Sequence, residues 1–137
     1  MTEPADLENF VRRRPEGDSH ERDVCSGYGF IYYQNPKVIV GSVVYHDDHI
    51  LLCRRAIAPR IGLWTLPAGY LENGETVAEG AQREAQEEAC ARIKIDDVLA
   101  IYSLTHISQV HIMHLATLDE PVFAPGPESL ESPIGDP

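Results

Sequence analysis

Glu84, Glu87 and Glu88 stand at positions i, i+3 and i+4. On a helix that spacing stacks three carboxylates on one face. Like charges so placed repel, by roughly 0.2–0.5 kcal/mol per pair in an isolated helix. A positive partner relieves the repulsion, and clustered carboxylate oxygens suit hard divalent cations, Mg²⁺ or Mn²⁺, which bind phosphates while retaining waters. The chemistry this points to is metal-assisted work on a phosphate. Gly69, Glu75 and Arg83 lie just upstream. Glycine lets backbone approach a ligand closely, and the guanidinium fork of arginine can orient carboxylates.

The acidic residues need a helix to carry them. Thr76-Val77-Ala78-Glu79 is a capping-box signature, so the helix is predicted from about Val77 to Ala89. Its buried stripe is Val77, Ala78, Ala81, Ala85 and Ala89, small enough to let the axis lie close to a sheet. Gly80 inside it costs roughly 1 kcal/mol relative to alanine.

Strands must supply the sheet. Val38 to Tyr45 is β-branched and apolar, as a strand covered on both faces would be. A polar turn, His46 to His49, leads to Ile50–Arg55 as the second strand of a hairpin. Arg54 and Arg55 alternate across that strand, so one should point inward to the site, where it can meet a phosphate. Pro59 to Leu66 reads as an irregular connection anchored by Trp64. Val98–Thr105 and Gln109–Leu118 read as two further strands, and the chain after Glu120 as a Gly/Pro-rich loop. Tyr45, with Tyr32 and Tyr33, can stack on a base. His106, His111 and His114 show no ligand spacing and read as strand-face residues, and Cys53 as an apolar filler.

The 137 residues suffice for one domain with a real core, and 43% are hydrophobic. A net charge of −11 repels polyanions, which argues against nucleic-acid polymers as partners. Small anionic substrates stay accessible where a metal supplies local positive charge. No apolar run approaches the ~20 residues of a membrane span, and the N-terminus lacks the layout of a secretory signal. Cys25, Cys53 and Cys90 are scattered and form no C-x-x-C pair, which fits a reducing compartment. A cytoplasmic protein with no membrane partner is expected.

Gly69, Glu75, Arg83, Glu84, Glu87 and Glu88 together resemble the Nudix box, G-x5-E-x7-R-E-U-x-E-E-x-G-U, where U is a bulky aliphatic residue. Ala85 and Ala91 depart from it with small side chains, and Cys90 replaces the last glycine. That glycine normally ends its helix in the left-handed conformation, which a cysteine adopts at a cost of about 1 kcal/mol. The resemblance implies an α+β fold, a Nudix-type α/β/α sandwich with a mixed sheet. It further implies Mg²⁺-dependent hydrolysis of a nucleoside diphosphate linked to another group, by attack of water on phosphorus. Glu84, Glu87, Glu88 and the Gly69 carbonyl would hold Mg²⁺ or Mn²⁺, with Glu75 and Arg83 orienting them. The general base is left open among Glu87, Glu128 and Glu131.

Residues 1–35 are similar to the short zinc ribbon that precedes one Nudix subgroup. Asn35-Pro36-Lys37, Leu52-Cys53-Arg54-Arg55 and Gly62 to Gly69 extend the likeness. Only Cys25 of the usual cysteine pairs remains, with Tyr28 where its partner should stand, so no zinc is expected. The Nudix domain is assigned to 36–131 and a tail to 132–137. The C-terminal elements read as shortened, which suggests a homodimer to cover the sheet. The subgroup resembles ADP-ribose and FAD pyrophosphatases. A hydrolase that sanitises nucleoside triphosphates and a non-catalytic nucleotide-binding module are the alternatives.

Overall fold

A computed structural model describes residues 9–47, 49–56, 61–120, 123–124, 129–131 and 134–135. The chain divides into two compact units between Asn35 and Pro36. In the first, β1 (Phe10–Arg13), β2 (Arg22–Cys25) and β3 (Ile31–Tyr32) form an antiparallel sheet in that order. Val24 is buried on it, and Phe10 and Phe30 meet edge to face at 6.3 Å.

The second unit is a mixed α+β fold. Its elements are β4 (Lys37–His46), β5 (His49–Leu51), β6 (Cys53–Arg55), β7 (Trp64–Thr65), β8 (Ala68–Tyr70), α1 (Val77–Ala89), β9 (Ile93–Leu104), β10 (Gln109–Leu118), β11 (Ser129–Glu131) and β12 (Ile134–Gly135). The main sheet runs β12-β5-β4-β10-β9, with β8 also paired to β4. Strands β4 and β10 are parallel, Val40 beside Ile112 and Ser42 beside His114. Among the described residues α1 is the one α-helix, so a second helical layer is not seen there.

The helix begins and ends for identifiable reasons. Thr76 Oγ1 accepts from the Glu79 N–H, and Glu79 Oε1 accepts from the Thr76 N–H, both near 3 Å. At the other end Cys90 takes the left-handed conformation, φ 49°, where the Nudix pattern has glycine. Ala81, Ala85 and Ala89 are fully buried, and Val77 and Ala78 half-buried. Gly80 is buried too: a Cβ there would lie 2.8 Å from Val40 Cγ2 and 2.8 Å from Leu71 Cδ1. The residue that weakens the helix is what lets it settle on β4. Val44, Leu51, Cys53, Ala85, Ala89, Ala91, Ile93, Ala116 and Leu118 form the core.

Four expectations need correction. The expected Ile50–Arg55 strand breaks at Leu52: β5 stays in the main sheet, while β6 pairs with β7 and β11. Leu51 and Cys53, on either side of the break, both lie in the core. Trp64 is not a buried anchor but a strand residue 45% exposed. The strand expected from Val98 begins at Ile93, because the polar Asp96-Asp97 pair interrupts its alternation. Bulges between Met113 and His114 and between Leu115 and Ala116 absorb that irregularity. The loop expected after Glu120 contains β11 and β12. As the outermost strand, β9 exposes Val98, Leu99, Ile101 and Tyr102.

Candidate active site

Strand β8 and helix α1 bring the acidic residues together. Gly69 pairs with Val40 on β4, and the space its Cβ would fill is taken by the Glu84 carboxylate. Any side chain at that position would displace Glu84. Glu88 Oε2 accepts from the Ala68 N–H at 3.1 Å, which ties the helix to the same strand one residue earlier. Glu84 is 7% exposed. Burial pushes its carboxyl pKa up and Glu87 adds to the rise, while Arg83 opposes it. Like-charge repulsion, the cause expected from the spacing alone, is thus the lesser of the two effects.

Arg83 organises this cluster. Its Nε and Nη2 donate to the two oxygens of Glu75 at 2.6 and 3.0 Å. Its Nη1 donates to Glu84 at 2.8 Å and to Glu87 at 3.1 Å, and Nη2 also reaches the Tyr70 carbonyl at 2.9 Å. Those contacts raise the Arg83 pKa, Glu75 contributing most, and hold the carboxyl of Glu75 below its usual range. One cation therefore bridges three carboxylates and leaves a net negative charge. The Glu75 Oε1 also accepts from the Glu72 N–H at 2.9 Å, fixing the turn into the helix.

The donors fit a hard divalent cation. Every side-chain group is a carboxylate, and Glu84 and Glu88 meet β8 at neighbouring residues, Gly69 and Ala68. Ionised carboxylates held near each other repel, and a cation relieves that repulsion. Glu87 stands apart, its side chain 57% exposed and tied to Arg83. Among the described residues no three ligating groups converge, so the trio is not assembled as one cage.

A cleft of about 610 Å³ reaches the strand that the cluster packs on: Ala68 and Gly69 of β8 line it. That volume is in the range of small-molecule sites. Of the two arginines, Arg55 lines the cleft. Arg54 instead donates to the Gly62 carbonyl at 2.9 Å and covers the Trp64 ring at 6.0 Å, so its part is to brace the β6–β7 turn. Tyr45 is not brought to the cleft: it lies five residues along β4 from Val40, and its hydroxyl donates to Asp96 at 3.2 Å. Glu128 lies outside the described residues, and the Glu131 backbone pairs opposite Arg54. Trp64, Tyr70, His106, Gln109 and His111 line the cleft and were not singled out as site residues. The even spacing of Gln109 and His111 puts them on one strand face; the register of β10 on β4 makes it the Ile39 face, opposite the Val40 face that packs on α1.

The NUDIX domain family profile matches residues 35–131. The chain is similar to an ADP-ribose pyrophosphatase of Methanocaldococcus jannaschii, 39% identical over 71 residues, covering 52% of this chain and 42% of that protein. The chain thus spans less than half the length of that curated relative. A crystal structure of a NUDIX hydrolase from Nitrosomonas europaea superposes with TM-score 0.88 at 50% identity, covering 93% of this chain and 72% of that one. An ADP-ribose pyrophosphatase structure from Streptococcus suis gives TM-score 0.65 at 26% identity, covering 74% and 75% of the two chains.

Proposed function

The chain belongs to the NUDIX domain family, and on that premise we propose that it hydrolyses a nucleoside diphosphate linked to a second group, with ADP-ribose or FAD as the substrate. The observation that carries the reading is the shared boundary between cleft and acidic cluster. Ala68 and Gly69 line the cleft, and the same two residues abut Glu88 and Glu84. The two therefore meet at β8, with Tyr70 and Ile39 toward the cleft and Gly69 against Glu84 on the other face of the sheet. The relatives named ADP-ribose pyrophosphatase support that substrate class.

Glu84, Glu87, Glu88 and the Gly69 carbonyl are the groups that would hold Mg²⁺ or Mn²⁺. Such an ion, when bound, supplies the positive charge that a diphosphate requires. Arg83 keeps Glu75, Glu84 and Glu87 oriented, and Arg55 meets the diphosphate from the cleft wall. Glu87 is the general base: one of its oxygens is held by Arg83, and the exposed carboxylate is open to the attacking water. Positioning and charge, not covalent chemistry, do most of the work.

The N-terminal unit is a ribbon-like appendage that has lost its zinc ligands. A second copy of the chain covers the apolar edge at β9, giving a homodimer that light scattering would detect. The compartment is the cytoplasm; no described helix is long and apolar enough to cross a membrane.

A panel of ADP-ribose, FAD and oxidised nucleoside triphosphates, each with Mg²⁺, tests the function. Release of AMP from ADP-ribose or FAD is expected, with most activity lost in Glu87→Gln while the fold persists. Turnover of triphosphates alone, or tight binding with no turnover, overturns the reading.

A further inference from the structure

Two features of the cleft have no part in holding a metal or a diphosphate. The first is aromatic. Trp64 and Tyr70 line the cleft and are 45% and 50% exposed. Each ring carries a cation on one face: Arg54 Cζ lies 6.0 Å from the Trp64 centroid, and Lys37 Nζ lies 5.2 Å from that of Tyr70. The cations fix the rings without burying them.

The second feature is polar. Gln109 and His111 stand two residues apart on β10, so they share a face, and both line the cleft. His111 Nε2 lies 2.9 Å from Gln109 Oε1. An amide oxygen only accepts, so the tautomer that fits this contact has its proton on Nε2 and offers Nδ1 as an acceptor. The Gln109 amide keeps its two N–H donors. A donor and an acceptor side by side, near flat aromatic surfaces, match the edge and the faces of a heterocyclic base.

We propose that Gln109 and His111 read the nucleobase of the substrate, with Trp64 and Tyr70 as its stacking surfaces. The inference rests on the nucleotide reading above and deepens it, because it assigns the cleft to the base-bearing end of the substrate. Gln109 has two parts: it sets the tautomer of His111, and it donates to the base itself.

Calorimetric titration of the full chain with ADP, GDP, CDP and UDP, and with inorganic pyrophosphate as the baseless control, tests it in the presence of Mg²⁺. Gln109→Glu keeps an acceptor for the His111 N–H but removes both donors, and His111→Leu removes the acceptor. Both variants are expected to weaken the preferred nucleotide by about tenfold or more, the loss of one hydrogen bond with a buried partner left unpaired. Pyrophosphate should bind them as it binds wild type, which also shows that they are folded. Unchanged nucleotide affinity in both variants, or an equal loss for pyrophosphate, overturns the inference and leaves the proposed function standing. A wild-type chain that binds pyrophosphate but none of the four nucleotides overturns both.

Discussion

Arg83 grips both oxygens of Glu75, Nε to Oε2 at 2.6 Å and Nη2 to Oε1 at 3.0 Å, while its third nitrogen spans Glu84 and Glu87. The arginine is the hinge pin between the turn before α1 and the acidic face of that helix. A lysine would keep the charge but cannot make two parallel bonds to one carboxylate.

Arg83→Lys is therefore expected to lower kcat/KM by about 10- to 100-fold, the usual cost of losing a residue that orients metal ligands. Steady-state AMP release, with circular dichroism as a fold control, measures it. Wild-type kinetics would show that the fork is dispensable.

Gly80→Ala separates helix propensity from packing. Propensity alone favours alanine by roughly 1 kcal/mol. The added methyl would meet Val40 Cγ2 and Leu71 Cδ1 at 2.8 Å each, and Val40 is fully buried on a stiff strand. Overpacking of that kind costs about 1–3 kcal/mol. Urea unfolding is expected to show a net loss of about 1 kcal/mol, and a gain would mean that the helix can ride outward freely.

Cys90→Gly acts in the opposite direction. At φ 49° a cysteine holds a conformation that costs roughly 1–2 kcal/mol for a side chain with a Cβ. Glycine removes that cost but adds freedom to the unfolded chain, offsetting about 0.4–1 kcal/mol. A rise of a few degrees in Tm with unchanged activity is expected by scanning calorimetry. A lower Tm would mean that the Cys90 side chain contributes more than its backbone costs.

The buried Glu84 gives a pH dependence whose sign can be worked out. Its folded pKa lies above its ordinary value of 4.5 because burial disfavours the charge. Between those two values the folded chain holds a proton that the unfolded chain has released. Stability therefore falls as pH rises through that window. Glu75 and Glu79 behave oppositely, since Arg83 and the Thr76 N–H hold their pKa values down. Their contribution is lost as pH falls through the depressed values. A divalent ion held at Glu84 would offset that cost, so Mg²⁺ should raise Tm more at neutral pH than near the ordinary carboxylate range. Glu84→Gln should raise the metal-free Tm at neutral pH and abolish the Mg²⁺ shift; a metal shift that survives the substitution would take Glu84 out of the site.

Local signals made the helix and its chemistry legible in the sequence. Thr76 and Glu79 mark its start, and Glu84, Glu87 and Glu88 mark its face within a few residues of each other. The cleft was not legible, because it is made by pairing between distant segments. His111 borders Ile39 only through the register of β10 on β4. The arginine pair was legible as an alternation, but which member faced the cleft depended on β6 leaving the main sheet. Tyr45 looked like a stacking residue on composition, yet the length of β4 carries it away from Gly69. Trp64 looked like an anchor by size, and the pairing with Arg54 left it at the rim.

The parallel register of β4 and β10 has a kinetic consequence. The two strands are separated by roughly 70 residues, and such non-local contacts form late because chain closure must precede their reward. The capped helix with its glutamates precedes β10 in the chain. A chain emerging from the ribosome thus carries its acidic residues before it has the strand that completes the groove.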